Sequence, residues 1–172
     1  MIKPAYILPF FLILTSTLVA QESDYPTFFS EPFPLFEKAL GDFDRPVSSS
    51  VDGVQEYFNQ GFQMMYAFTK VDAARSFEEA QKLDPTCSMC FWGEAWAWGP
   101  YLNGKMQEAE APRAYTSIQA AQELAQEGFV TEKEAGLIAA MALRYHETYD
   151  PQTQAVRDTA YAKAMEQLAR KY

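Results

Sequence analysis

Histidine is nearly absent from this chain, His146 being the single copy, and cysteine is confined to Cys87 and Cys90. Two sulfurs alone cannot complete a tetrahedral zinc site, and the haem-attachment pattern fails because Phe91, not histidine, follows Cys90. Around that one imidazole no Ser-His-Asp spacing for a nucleophilic triad is found, and no glycine-rich phosphate loop is present. Carboxylates do occur in pairs, Glu108 with Glu110 and Glu132 with Glu134, but in the first turns of expected helices, where the helix dipole favours negative charge anyway. Catalysis and a bound cofactor therefore have no visible seat. Basic charge is scarce too: 14 Lys and Arg against 23 Asp and Glu leave a formal net charge of -9, with no local basic run. Such a surface repels phosphate backbones and anionic headgroups, which argues against nucleic acid as a partner.

What is present begins with an export signal. Lys3 supplies a short positive start, an apolar run covers 7–19, interrupted by Pro9 and the cluster Thr15, Ser16 and Thr17, and Ala20 offers a cleavage point. Residues 1–20 read as a signal peptide. The run is shorter than the about 20 apolar residues that span a bilayer, so a membrane anchor is the lesser alternative and no stable insertion is expected after cleavage. The mature chain would occupy a compartment where cysteines can be oxidised. For Cys87 and Cys90, spaced Cys-x-x-Cys at a helix start, three readings stand: inert thiols or a local disulfide, a structural disulfide that pins the helix, and a thiol-redox or metal-handling role.

Residues 21–47 carry Pro26, Pro32, Pro34 and Pro46 together with Phe28, Phe29, Phe33, Phe36 and Phe43. Prolines at that density suppress regular structure, apart from a short helix over 35–40, so an extended arm is expected. Each of its Phe rings is worth about 1.5–3 kcal/mol when buried, which predicts that the arm lies on the body rather than in water.

From 48 to 172 the apolar spacing is helical and no period-two alternation is sustained, so the body is expected to be all-α. Helices are predicted over 51–68, 71–83, 87–99, 109–126, 131–149 and from 151 onward. Asp84-Pro85 closes the second, Gly128 stops the fourth, Thr131 with Glu134 forms a capping box for the fifth, and Pro151 suits the first turn of the sixth. His146, near the end of the fifth, reads as a cation at a helix C-terminus.

Two stretches share one spacing. Tyr57, Gly61 and Met64 are followed by Ala73, Phe77, Ala80 and Pro85; then Phe91, Ala95 and Trp98 are followed by Ala114, Ile118 and Ala121, with an insertion around Asn103 and Gly104 that should protrude. Gly61 would let two helices cross closely, Ala73 and Ala80 keep the second helix thin, and Phe77 fills the wedge between pairs. This pattern resembles the tetratricopeptide repeat. Gln60 stands where that repeat usually has leucine, and a third pair, with Ala135, Ala139 and Ala142 and then Tyr161, Met165 and Leu168, is degenerate. Residues 41–103 are similar to the N-terminal part of a group of longer, exported bacterial repeat proteins, through Pro46-Val47-Ser48, Tyr57-Phe58-Asn59-Gln60-Gly61, Ser76-Phe77-Glu78, Leu83-Asp84-Pro85, Phe91-Trp92-Gly93 and Gly99-Pro100. Thr69-Lys70 replaces an Asn-His usual in that group. The resemblance implies a right-handed α-solenoid of about three antiparallel helix pairs, periplasmic or extracellular, with an array continuing past Tyr172 and self-association through the uncapped last repeat.

In such helix pairs the positions one step after the core residues face the concave side. These are Phe58, Phe62 and Met65 on the first pair and Trp92 and Trp96 on the second. Two rows of large apolar side chains suit a protein or peptide partner, since aromatic anchors dominate binding energy. The competing expectation is that the arm fills the groove, because large exposed apolar patches are rare on monomers. The function expected is thus a non-catalytic binding scaffold, with a Cys87/Cys90 thiol protein and a structural spacer of a larger assembly as rivals.

Overall fold

The computed structural model describes residues 31–172 apart from 37, 39 and 129. The expected signal peptide, and Phe28 and Phe29 of the arm, lie outside the described residues. Six helices follow one another: α1 (Val54–Tyr66), α2 (Lys70–Leu83), α3 (Ser88–Trp98), α4 (Ala111–Gln126), preceded by a 3-10 turn (Glu108–Glu110), α5 (Glu132–Ala142) and α6 (Pro151–Lys171). Among the described residues there is no strand, only an isolated bridge between Tyr101 and Gly104 in the protruding insertion. The fold is all-α.

The helix ends follow local chemistry. Thr131 and Glu134 form the reciprocal capping box, the Thr131 hydroxyl accepting from the Glu134 amide. Asp150 caps α6, accepting from the Gln152 amide ahead of Pro151 in the first turn. Asp84 ends α2, and its carboxylate accepts from the Thr86 amide and hydroxyl. Gly128, with φ of 88°, follows α4 in the left-handed region that glycine enters without steric cost.

Each helix packs on its successor, and α1 touches α3 as α3 touches α5. The hinge of this packing is Phe77, fully buried on α2. A Cβ placed on Gly61 of α1 would lie 2.8 Å from its ring, and one on Gly93 of α3 would lie 2.5 Å away. Two glycines on two helices thus admit one aromatic ring from the helix between them. Gly61, Ala73, Ala80, Ala95, Ala114 and Ala121 are all buried, as are Met64, Trp98 and Ile118, while Tyr57 and Phe91 are half-buried and Pro85 is exposed.

Three expectations are corrected. The described residues of 35–40 form no helix. The fifth helix ends at Ala142, not near 149, because Leu143 and Arg144 turn with i to i−3 hydrogen bonds and carry Tyr145 into the core against Gly99. His146 consequently sits in an exposed turn, where its Nδ1 accepts from the Thr148 amide, and it caps no helix. In α5 the buried apolar positions are Leu137, Ile138, Ala140 and Met141; of the third pair's small residues, Ala142 packs half-buried against the core, Ala135 is half-buried and Ala139 is exposed.

Candidate partner-binding site

The five groove residues read from the sequence come together in one aromatic run. The Phe58 and Phe62 rings are 6.1 Å apart, Phe62 and Trp96 5.1 Å, and Trp92 and Trp96 5.8 Å. Met65 joins the same core, and both it and Phe58 are fully buried. Phe62 and Trp92 are also buried, and only Trp96 retains partial exposure. Much of the run is therefore inaccessible as it stands.

What covers it is the arm. Phe43 stacks on Phe62 with centroids 5.0 Å apart and planes 10° from parallel. The Arg45 guanidinium lies 5.3 Å from the Phe62 centroid and 5.8 Å from that of Trp92, within cation–π range of both. Three side-chain amides on α1 hold the arm's backbone. Gln55 accepts from the Val47 amide at 3.1 Å and donates to the Arg45 carbonyl at 2.8 Å. Asn59 accepts from the Arg45 amide at 3.0 Å and donates to the Asp44 carboxylate at 2.9 Å. Gln60 accepts from the Phe36 amide at 2.7 Å and donates to the Pro34 carbonyl at 3.0 Å. Further along, the Tyr57 hydroxyl donates to the Phe33 carbonyl, and Arg75 lies 4.5 Å over the Phe33 ring. Gln60, which departs from the usual leucine, is buried because it serves the arm rather than the helix pair.

The end of the arm is pinned by two carboxylates. Glu134 accepts from the Ser48 amide and hydroxyl as well as from Thr131; burial alone would push its pKa up, but these hydrogen bonds outweigh it and hold the carboxyl below its ordinary value. Asp84 behaves the same way: burial opposes ionisation, and donors from Ser49 and Thr86 overcome it.

Beyond Trp96 the aromatic run reaches solvent. Tyr66 (67% exposed), Phe68 (58%) and Leu102 (89%) stand around the half-buried Trp96 and Tyr101. Tyr66 meets Trp96 edge-on at 6.0 Å, and Phe68 meets Tyr101 at 5.4 Å. A cleft of about 390 Å3 opens here, lined by Tyr66, Trp96, Pro100, Tyr101, Leu102 and Arg144. Sequence reasoning missed Phe68, placing it inside the first helix. It lies after the helix with φ of 66°, the only non-glycine residue with positive φ among those described. The Thr69 amide bonds the Met64 carbonyl and the Phe68 amide that of Met65, so α1 ends in a Schellman motif with phenylalanine where glycine is usual. The Tyr101 hydroxyl also donates to the Met65 carbonyl, fixing the insertion loop to this helix end. Lys70 donates to the Gly99 carbonyl at 2.8 Å and so caps α3.

Cys87 and Cys90 form a disulfide at the start of α3, with the Cys90 amide donating to Cys87 Sγ. Both residues are buried, at 1% and 0% exposure, so a partner thiol reaches neither sulfur in this conformation. On chain-entropy grounds so short a loop contributes about 2 kcal/mol. Among the described residues no group of three or more His, Cys, Asp or Glu could hold a metal ion, and no helix is long and apolar enough to cross a membrane.

Comparison with known protein-family models, characterised proteins and solved structures finds no match.

Proposed function

We propose that this protein is an exported, non-catalytic scaffold of the tetratricopeptide-repeat type, a solenoid of helix pairs that binds a protein or peptide partner through the aromatic run ending at Tyr66, Phe68 and Leu102. The observation that carries the reading is Phe68. A bulky L-residue in the left-handed region costs roughly 1–2 kcal/mol, and such strain persists where the conformation serves a purpose. Here it leaves a phenylalanine ring more than half exposed against Tyr101, which lines the cleft together with the exposed Tyr66 and Leu102. The helix-ending hydrogen bonds and the edge contact with Tyr101 return part of that cost to folding, and the exposed face of the ring is left for a partner, since desolvated aromatic anchors carry most interface energy. The succession of packed helices, with Phe77 wedged between Gly61 and Gly93, supports the helix-pair solenoid.

The test is a variant that keeps the fold and removes the anchor. Phe68→Asn suits a left-handed position and should leave thermal stability unchanged or raised, while recovery of a cross-linked partner from the native compartment falls at least tenfold. Leu102→Ser, at a residue nearly free of packing, should act in the same direction. Equal recovery by the native chain and both variants would overturn the proposal.

A further inference from the structure

Gln55 and Gln60 hold the arm in one and the same way. Each side-chain amide takes the carbonyl of one arm residue and the amide of the residue two positions on: Arg45 and Val47 for Gln55, Pro34 and Phe36 for Gln60. That is the pattern in which one residue of a parallel neighbouring strand, through its own N–H and C=O, pairs with an extended chain, and it depends on backbone shape, not on the side chains of the segment held. Selectivity comes instead from the rings: Phe62 stacks on an aromatic at one position, and Phe62 with Trp92 receives an arginine two positions later.

The arm fits this surface incompletely. Between its two clamped stretches a cleft of about 370 Å3 opens between arm and α1, lined by Leu40, Phe43, Asn59 and Gln63 among others. Phe36 and Phe43 remain 40% and 44% exposed. The buried Trp92 indole N–H finds no acceptor among the described residues, although buried donors nearly always have one.

We propose that this face of α1 and α3 is a binding site for an extended peptide, that residues 43–47 occupy it as a tethered stand-in, and that the partner segment which replaces them carries an aromatic residue two positions before an arginine. This rests on the scaffold reading above and adds to it the chemistry of the ligand. Tethering gives the arm a high effective concentration, so a partner must compete for the site and weak or mismatched segments are rejected.

The experiment uses the full chain and a fluorescent synthetic peptide, Asp-Phe-Asp-Arg-Pro-Val-Ser, the sequence of residues 42–48. In the variant Phe43→Ala with Arg45→Ala the readers on α1 and α3 are untouched and the stand-in is weakened. Polarisation should report binding at least tenfold tighter to this variant than to the native chain. Adding Gln55→Ala should remove that gain, and a peptide with Ala for both Phe and Arg should not bind. With the native chain, excess peptide should speed hydrogen exchange at the Arg45 and Val47 amides, a readout independent of any variant. The proposal is overturned if the arm variant binds no tighter, or if the Ala-substituted peptide binds equally well. Should the peptide fail while Phe68→Asn still loses its partner, the scaffold reading survives and this assignment alone is lost.

Discussion

Two glycines face one phenylalanine, and their separate surroundings make a sharp test of the packing. Adding a methyl at Gly93 brings it to 2.5 Å from the Phe77 ring, with α1 and Gly61 closing the opposite side. Overpacking of this kind costs about 1–3 kcal/mol, while alanine returns about 1 kcal/mol through helix propensity. Gly93→Ala should therefore be destabilised by up to about 2 kcal/mol in urea melts, whereas Gly104→Ala, with nothing within 4 Å, should be neutral. A Gly93→Ala protein more stable than the native chain by about 1 kcal/mol, the helix-propensity gain unopposed, would mean that Phe77 is not wedged. Phe77 and Gly61 were legible in the sequence because a repeating spacing marks them as a small and a large residue that must meet. Gly93 lies off that spacing, and its role appears only once α2 and α3 are in contact. Phe68 was not legible at all: nothing in a sequence announces a left-handed residue when the residue is not glycine.

At the scale of the element, the described part of the arm, from 31 to 47, was legible as non-helical and as lying on the body, since prolines forbid a helix and exposed Phe rings are costly. How it would be held was not. Gln60 read as a weakened core position, because the comparison was with a helix pair packing only on itself. Its burial and its two bonds to Pro34 and Phe36 give it a different purpose. Gln60→Leu should consequently separate the arm from the body. Leucine suits the helix-pair position, and the two neutral hydrogen bonds that are lost are worth about 1 kcal/mol each net, so the melt of the helical body should move by no more than about 2 kcal/mol. The arm, in contrast, should become cleavable by protease between 31 and 43 and lose exchange protection at the Phe36 amide. Unchanged protection there would show that the amide clamp holds nothing. The fifth helix was overread for a related reason: its periodic pattern continues through Tyr145, but that ring is required against Gly99, and the backbone turns at Leu143 to deliver it.

Over the whole molecule, three carboxylates give stability opposite slopes on the two sides of mild acidity. Glu78, on α2, is pushed up to about 7 by burial first and by the nearby Glu94 of α3 second, against an ordinary value of 4.5. Its folded form favours the proton, so its contribution is complete below pH 4.5 and is lost as pH rises through about 7. Glu134 and Asp84 are held below 4.5 and 3.8, so what they contribute is present above those values and disappears as pH falls through their folded pKa. The two kinds of group therefore favour a common optimum near pH 4.5, with a falling limb toward neutrality that belongs to Glu78. Melting temperatures compared at about pH 5 and about pH 8 should show that limb in the native chain. In Glu78→Gln it should flatten, with the variant melting higher than the native chain at the alkaline end. The acid limb has a location as well as a slope, since Ser48 and Ser49 bond these two carboxylates and join the arm to α1. As acidification passes the lowered pKa values of these two carboxylates, exchange at the Ser48 amide should rise before the helices melt, releasing the arm from the aromatic face it covers. Simultaneous loss of Ser48 protection and helix signal would mean that arm and body are one cooperative unit, and that the groove does not open on its own.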